Sequence, residues 1–364
     1  MLRRSKPSDH SRAASTRRRV AGGEDVAQVI ADSADPAAGP REQWRELMQV
    51  QAARLGMPPG LLALLREPDV TDVLVSGRRV WADRGAGVHP VALELGEDPD
   101  GRRLAVRLAA AAGKRLDDAS PIVDGVLGDR FRVHAVLPPV AHGGASISIR
   151  VARRKPFSLA ELQALGSMSE QLANQLRALI AQSKSLLISG GTGSGKTTLL
   201  GSLLGLVPHS ERIICIEEVS ELAVEHPHLI RLQARSPNVE GEGGVGLDDL
   251  VRAAVRMRPD RVVLGECRGS EVREVLTAMN TGHRGSCATI HANSIEDVPA
   301  RLIALGALGG LSPTAVAALA VPAFDAVVHL SRGADGRRRV ESVGELRLTG
   351  DRLSGVVVEE RRAS

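Results

Sequence analysis

Leu186-Leu187-Ile188-Ser189-Gly190-Gly191-Thr192-Gly193-Ser194-Gly195-Lys196-Thr197-Thr198-Leu199-Leu200 is the stretch whose reading decides the fold. A short apolar run leads into residues 190–197, which fit the P-loop pattern G-x-x-x-x-G-K-[ST] at every position. Thr198, Leu199, Leu200, Leu203 and Leu204 then continue as a helix. Phosphate chemistry dictates these residue types. Glycines let consecutive backbone N–H groups turn towards one anion. The positive end of the following helix adds to the attraction. Lys196 supplies a point charge for the β- and γ-phosphates, and Thr197 offers a hydroxyl to Mg²⁺.

Downstream of the loop, short apolar runs alternate with helical segments. The runs at 185–189, 212–217, 261–264, 286–291 and 326–330 predict a parallel sheet covered on both faces. Ser158-Leu159-Ala160-Glu161 matches a capping box and opens this α/β domain, read as residues 159–350. Upstream, residues 41–152 read as a smaller α+β domain. It has helices near Trp44 to Gln51, at 61–65 and at 104–112, and a hairpin of 72–75 with 80–82. Strands at 122–127, 131–137 and 146–151 follow, with turns at Gly128-Asp129 and Gly143-Gly144. Residues 153–158, beginning Arg153-Arg154-Lys155-Pro156, are expected to form a linker and hinge. Residues 1–40 are expected to be a disordered basic tail, and 351–364 a C-terminal tail.

Charge is unevenly placed. The net charge is +4, yet the first twenty residues alone carry +6 through seven basic groups and Asp9, which leaves −2 for the remainder. The folded body therefore gives weak grounds for nucleic-acid binding. Two Trp, three Phe and no Tyr leave few platforms for stacking bases, so no direct nucleic-acid partner is expected. The tail reads either as a solvated arm or as a tether to an anionic membrane face. Cys215, Cys267 and Cys287 form no C-x-x-C pair, which argues against a structural zinc and fits a reducing cytosol. The N-terminus has no apolar h-region, and no run approaches the ~20 apolar residues that span a bilayer. Cytoplasmic placement with peripheral membrane association is the expectation.

Several residues fall at the carboxyl ends of the expected parallel strands, where ligands bind in such folds. Glu266 ends the run Arg261-Val262-Val263-Leu264-Gly265 and is suited to orienting and deprotonating a water. Its alternative is a surface glutamate. Glu217 and Glu218 end another strand and offer carboxylates to Mg²⁺ through waters, or simply a capped helix start. His291 ends a third, either sensing phosphate or serving a structural role.

Taken together, these motifs resemble the secretion traffic ATPases, the type II/type IV secretion ATPase superfamily. The runs in question are Gly190 to Thr198, Ile216-Glu217-Glu218 with Glu221-Leu222, and Arg256-Met257-Arg258-Pro259-Asp260. Gly265-Glu266-Cys267-Arg268-Gly269 and Gly282-His283-Arg284-Gly285 through His291-Ala292-Asn293 complete the set. They look like that superfamily's Walker A, Asp box, Walker B and His box. The nearest likeness is to the tight-adherence (Flp) pilus ATPase of the TadA/CpaF type, also through Arg231-Leu232-Gln233-Ala234-Arg235, Pro237-Asn238-Val239-Glu240-Gly241 and Ala278-Met279-Asn280-Thr281. The resemblance implies a RecA-like P-loop NTPase domain preceded by a PAS-like N-terminal domain. It implies an ATP-hydrolysing homo-hexameric motor for pilus or secretion assembly, with ATP and Mg²⁺ as cofactors and an integral membrane platform protein as partner at the inner face of the cell membrane; a DNA-translocating secretion ATPase and a non-motor nucleotide-binding switch are the alternatives. It implies that Arg231 and Arg235 reach the γ-phosphate and that Arg132 and Arg150 close over it, roles suited to a planar bidentate guanidinium. The usual Glu-Asp of the Asp box is replaced by Glu217-Glu218, and the four-cysteine zinc insert of some branches is missing.

Overall fold

The computed structural model describes residues 40–360, apart from 86, 94, 96–100, 129, 153–155, 236, 238–241 and 334. The basic tail, Asp129, Arg153-Arg154-Lys155 of the expected linker, the run Asn238 to Gly241 and residues 361–364 lie outside the described residues. The chain divides into two compact units, Met1–Ala152 and Arg153–Ser364.

The first unit is built on an antiparallel sheet of six strands in the order β3-β2-β1-β6-β5-β4. These are β1 (Asp72–Ser76), β2 (Arg79–Asp83), β3 (Val88–Val91), β4 (Ile122–Leu127), β5 (Phe131–Val136) and β6 (Ser146–Val151). Alternation along the strands sends Val73, Val75, Val133, Ala135, Ile147 and Ile149 to one face, where helices Pro59–Leu65 and Arg102–Ala111 cover them with Leu61, Leu62, Leu65, Leu104 and Leu108. Each leucine fully buried there contributes about 1.5–3 kcal/mol relative to exposure. Strand β3 carries Pro90, which weakens its strand signal and removes a ladder donor, and it lies at the sheet edge, where that loss is tolerated.

The second unit carries an eight-stranded sheet in the order β14-β13-β12-β7-β11-β10-β8-β9. Strands β7 (Leu186–Gly190), β8 (Ile213–Glu217), β9 (Leu229–Gln233), β10 (Arg261–Cys267), β11 (Cys287–Ile290) and β12 (Ala326–Arg332) run parallel. Every residue of β7, β8 and β11 is buried. Helices lie on both faces, with 159–164, 170–181 and 196–204 packing on one, and 247–254, 272–279, 298–308 and 313–323 on the other. The capping box at Ser158 is formed, with Glu161 bonded back to the Ser158 amide.

The expectation of a C-terminal tail from residue 351 does not hold. Residues 352–360 are no tail: β14 (Arg352–Glu360) pairs antiparallel with β13 (Arg338–Thr349), which in turn pairs antiparallel with β12. The all-parallel sheet is thereby extended at one edge. Among its described side chains only Leu353 is buried, and the short run Val356-Val357-Val358 is half-buried or exposed, so the strand is held by backbone ladder bonds more than by an apolar face. No single helix among the described residues is long and apolar enough to cross a membrane.

Candidate active site

The phosphate loop is shaped by three glycines. Gly190 has φ +152°, and a side chain there would meet the Leu330 carbonyl of neighbouring β12 and the Ser194 hydroxyl. Gly193 and Gly195 take φ +70° and +100°, left-handed conformations that other residues adopt only with strain. Helix Lys196–Leu204 starts at once, and its N-cap Gly195 supplies no capping side chain. Its first amides are therefore available to an anion. Lys196 is only 8% exposed, and its Nζ donates to the carbonyls of Gly190 (2.8 Å) and Gly191 (2.9 Å). Burial, foremost, holds its pKa below the ordinary lysine value. The Ser194 hydroxyl is buried and has no hydrogen-bond partner among the described residues. An ammonium parked on carbonyls, an orphaned hydroxyl and uncapped amides fit a polyphosphate, which would engage all three. Thr197, half-buried in the first helical turn, fits as the hydroxyl ligand of a phosphate-bound Mg²⁺.

Glu266 is placed by an irregularity. The register of β10 against β11 shifts between Leu264 and Cys267, and such bulges re-aim side chains beside active sites. Thr289 Oγ1 donates to the Gly265 carbonyl at 2.5 Å and steadies the bulge. Glu266 Oε1 lies 3.2 Å from His291 Nε2, and the same nitrogen lies 3.4 Å from Lys196 Nζ. Lys196 at the start of its helix, His291 just past β11 and Glu266 on β10 thus form one line of contact. Burial first, then the Lys196 charge, pushes the His291 pKa below its usual value and favours the neutral ring. A neutral Nε2 either donates to Glu266 or accepts from Lys196, not both at once. Arg268 continues the line: its Nε (2.7 Å) and Nη2 (2.6 Å) reach Glu266 Oε2, and its Nη1 reaches Glu218 Oε2 at 2.9 Å.

Glu217 stands apart from this line. Its Oε1 accepts from the amides of Glu221 (3.0 Å) and Leu222 (2.8 Å), and Arg231 Nη1 lies 3.6 Å from Oε2. Burial raises its pKa, opposed by the two amide bonds and Arg231. Strand β8 is three places from β7, about 14 Å at the usual strand spacing. Glu217 is therefore engaged by local backbone here, while Glu218 is engaged by Arg268. Arg231 donates to the Leu222 carbonyl at 2.7 Å, and Arg235 Nε donates to the Gly243 carbonyl at 2.7 Å. Strand β9 is four places from β7, about 19 Å, so Arg231 and Arg235 are not gathered at this chain's own P-loop. In the first unit, Arg132 and Arg150 are directly opposed on β5 and β6, and Arg150 pairs with Asp72 at 3.0 Å.

The family model described as "Type II/IV secretion system protein" matches residues 99–330. The chain belongs to the type II/IV secretion ATPase superfamily. "Putative conjugal transfer protein Rv3659c" of Mycobacterium tuberculosis strain H37Rv is 47% identical over 302 residues, covering 81% of this chain and 86% of that one. The type IV secretion system protein VirB11 of Bartonella quintana is 32% identical over 221 residues, covering 51% and 62%. Among solved structures, the Legionella pneumophila ATPase DotB aligns with a TM-score of 0.56 at 18% identity, covering 87% of this chain and 84% of that one. That likeness supports the fold alone: an N-terminal α+β domain followed by a RecA-like domain.

Three residues of this superfamily member gained a role only from the structure. Arg268 appears in a motif run, yet nothing local in the sequence says that it bridges two glutamates. Arg338, at the start of β13, donates from Nε to the Gly193 carbonyl at 2.8 Å and braces the P-loop from outside. His329 of β12, 6% exposed, contacts Ser189 Oγ at 2.9 Å directly before the loop, and burial pushes its pKa down. The last two pairs are separated by 145 and 140 residues, a distance no periodicity bridges. Cys215, Cys267 and Cys287 are buried and free, and burial raises each thiol's pKa, Cys287 to about 11. Such thiols pack and do not react.

Proposed function

We propose that this chain hydrolyses Mg-ATP and works as a motor of a type II/IV secretion or pilus-assembly machine. The observation that carries the reading is the contact line from Lys196 through His291 to Glu266. It joins a group that would hold the terminal phosphates to a carboxylate that would take the proton of an attacking water. Lys196 would leave its two carbonyls for the phosphates, and Ser194 would gain a partner. Mg²⁺, when bound, neutralises charge on the β- and γ-phosphates. Thr197 is the residue that would hold it, with waters and phosphate oxygens supplying most other ligands. The committed carboxylate of Glu217 leaves it a lesser share in that shell.

Arg231, on the outer strand β9, and Arg235, just beyond it, suit a neighbouring copy's γ-phosphate in a homo-hexamer, and Arg132 and Arg150 suit closure over a nucleotide. Within the superfamily, the specific reading is the tight-adherence (Flp) pilus ATPase, acting on an integral membrane platform protein from the cytoplasmic side. It is favoured by the runs around Arg231 and Pro237 and by three separate buried cysteines in place of a zinc insert. DNA translocation is the second reading, favoured by a relative whose name refers to conjugal transfer.

Steady-state hydrolysis beside Glu266→Gln and Lys196→Ala tests the proposal. Wild type is expected to turn over. Glu266→Gln is expected to bind ATP while losing about 10²–10⁴-fold in turnover. Lys196→Ala is expected to lose nucleotide binding. Tight binding without turnover by hexameric wild type would end the motor reading, and steep salt-sensitive stimulation by DNA would favour the second one.

A further inference from the structure

The half-exposed guanidinium of Arg268 is shared between two carboxylates. Nε and Nη2 converge on one oxygen of Glu266, and Nη1 takes an oxygen of Glu218. The other Glu266 oxygen faces His291. Both oxygens of the carboxylate assigned to proton abstraction therefore face a neighbouring side chain in this state, one Arg268 and the other His291. The clasp is weak enough to exchange. Side chains of Arg268 and Glu218 are 52% and 57% exposed, and water screens an ion pair at such exposure. Arg268 also lies within electrostatic reach of the phosphate site, since its charge lowers the pKa of both Lys196 and His291. A terminal phosphate bound by Lys196 brings two or more negative charges and a fork-shaped set of acceptors, a better partner for a guanidinium than two exposed carboxylates.

We propose that Arg268 is a sensor of the terminal phosphate: with no nucleotide or with ADP it clasps Glu266 and Glu218, and with a nucleoside triphosphate it transfers to the γ-phosphate and releases Glu266. Glu218 is the anchor that holds Arg268 back. This rests on the nucleotide reading above and assigns that site its means of telling triphosphate from diphosphate. It also gives the Glu-Glu sequence at 217–218 a division of labour, with Glu217 on the backbone and Glu218 on the switch.

The experiment measures the affinities of the full-length chain for ADP and for a non-hydrolysable ATP analogue, by calorimetry, in wild type, Arg268→Gln, Arg268→Lys and Glu218→Gln. Arg268→Gln is expected to weaken the analogue by about tenfold or more while moving ADP by about twofold at most, as loss of one charge-assisted contact dictates. Glu218→Gln is expected to shift the analogue-to-ADP ratio in the opposite direction, because it removes the competing anchor. Arg268→Lys is expected to fall between, keeping charge without the fork. Equal weakening of both nucleotides by Arg268→Gln, an unchanged ratio, or a Glu218→Gln shift in the same direction as Arg268→Gln would overturn the switch while leaving the nucleotide reading intact. Failure of wild type to bind either nucleotide would overturn both.

Discussion

Glu217 and Glu266 sit at the carboxyl ends of neighbouring parallel strands, yet their surroundings differ in kind. Glu266 is 21% exposed at its side chain, and its polar partners among the described residues are side chains, Arg268 and His291. Glu217 is 6% exposed and accepts two backbone amides from the segment just after its own strand. One carboxylate is wired to groups that are able to move, the other to a loop whose path it fixes. Position at the ligand-binding edge of a sheet therefore nominates a residue for chemistry, and its partners decide whether it takes part. Carboxylates that cap buried amides are structural commitments, because releasing them strands both the charge and the donors.

That contrast is open to measurement. The largest stability effect is expected at Glu217→Ala, which leaves the amides of Glu221 and Leu222 without their acceptor. It is expected to cost about 2–3 kcal/mol, lowering the melting temperature of the second unit by about 4–12 °C. Glu218→Ala, exposed and paired only with Arg268, is expected to stay within about 0.5 kcal/mol of wild type. Equal losses in the two melts would erase the distinction. A smaller effect, about 1–2 kcal/mol, is expected for Thr289→Val, which leaves the Gly265 carbonyl unpaired at the bulge that aims Glu266. Turnover is expected to fall along with the melting temperature in that variant, and a melt unchanged from wild type would show that the bulge holds without its brace.

The smallest effect concerns pH. Burial raises the folded-state pKa of Glu217, so the folded protein holds that proton more tightly than the unfolded chain. The contribution of Glu217 to stability therefore falls as pH rises from its unfolded value near 4.5 through the raised folded value. Glu217→Gln carries no such charge. Its deficit relative to wild type is expected to shrink between pH 5 and pH 7, read from paired denaturant melts. A deficit that grows with pH would mean that the two amides and Arg231 outweigh burial.

How much of this was legible in the chain follows from how local each signal is. The P-loop was readable because its glycines, Lys196 and Thr197 act within eight residues, between an apolar strand and a helix that share its neighbourhood. Glu266 and His291 were readable as strand-end residues for the same reason: an apolar run announces the strand, and its end announces the edge. Strand β9 (Leu229-Ile230-Arg231-Leu232-Gln233) shows neither clean alternation nor a continuous apolar run, and β14 is an edge strand with one buried leucine among its described side chains, so the pairing partners of each, and not its own residues, define it. Cross-strand pairing depends on register with distant segments, which local composition does not encode.

The sequence by itself determined the phosphate loop, the alternating strands and helices around it, the division into two domain types and membership of a secretion ATPase superfamily. Each of these rests on short-range spacing or on an ordered set of short motifs. Only the tertiary structure decided that His291 stands between Lys196 and Glu266, that Arg268 clasps Glu266 and Glu218, that Glu217 serves the backbone, and that Arg338 and His329 brace the loop from β13 and β12. These depend on strand order, since β11 lies between β7 and β10 and brings together groups 95 residues apart in the chain. Side-chain chemistry is written residue by residue, whereas the partner that gives each charge its role is set by how the sheet is threaded.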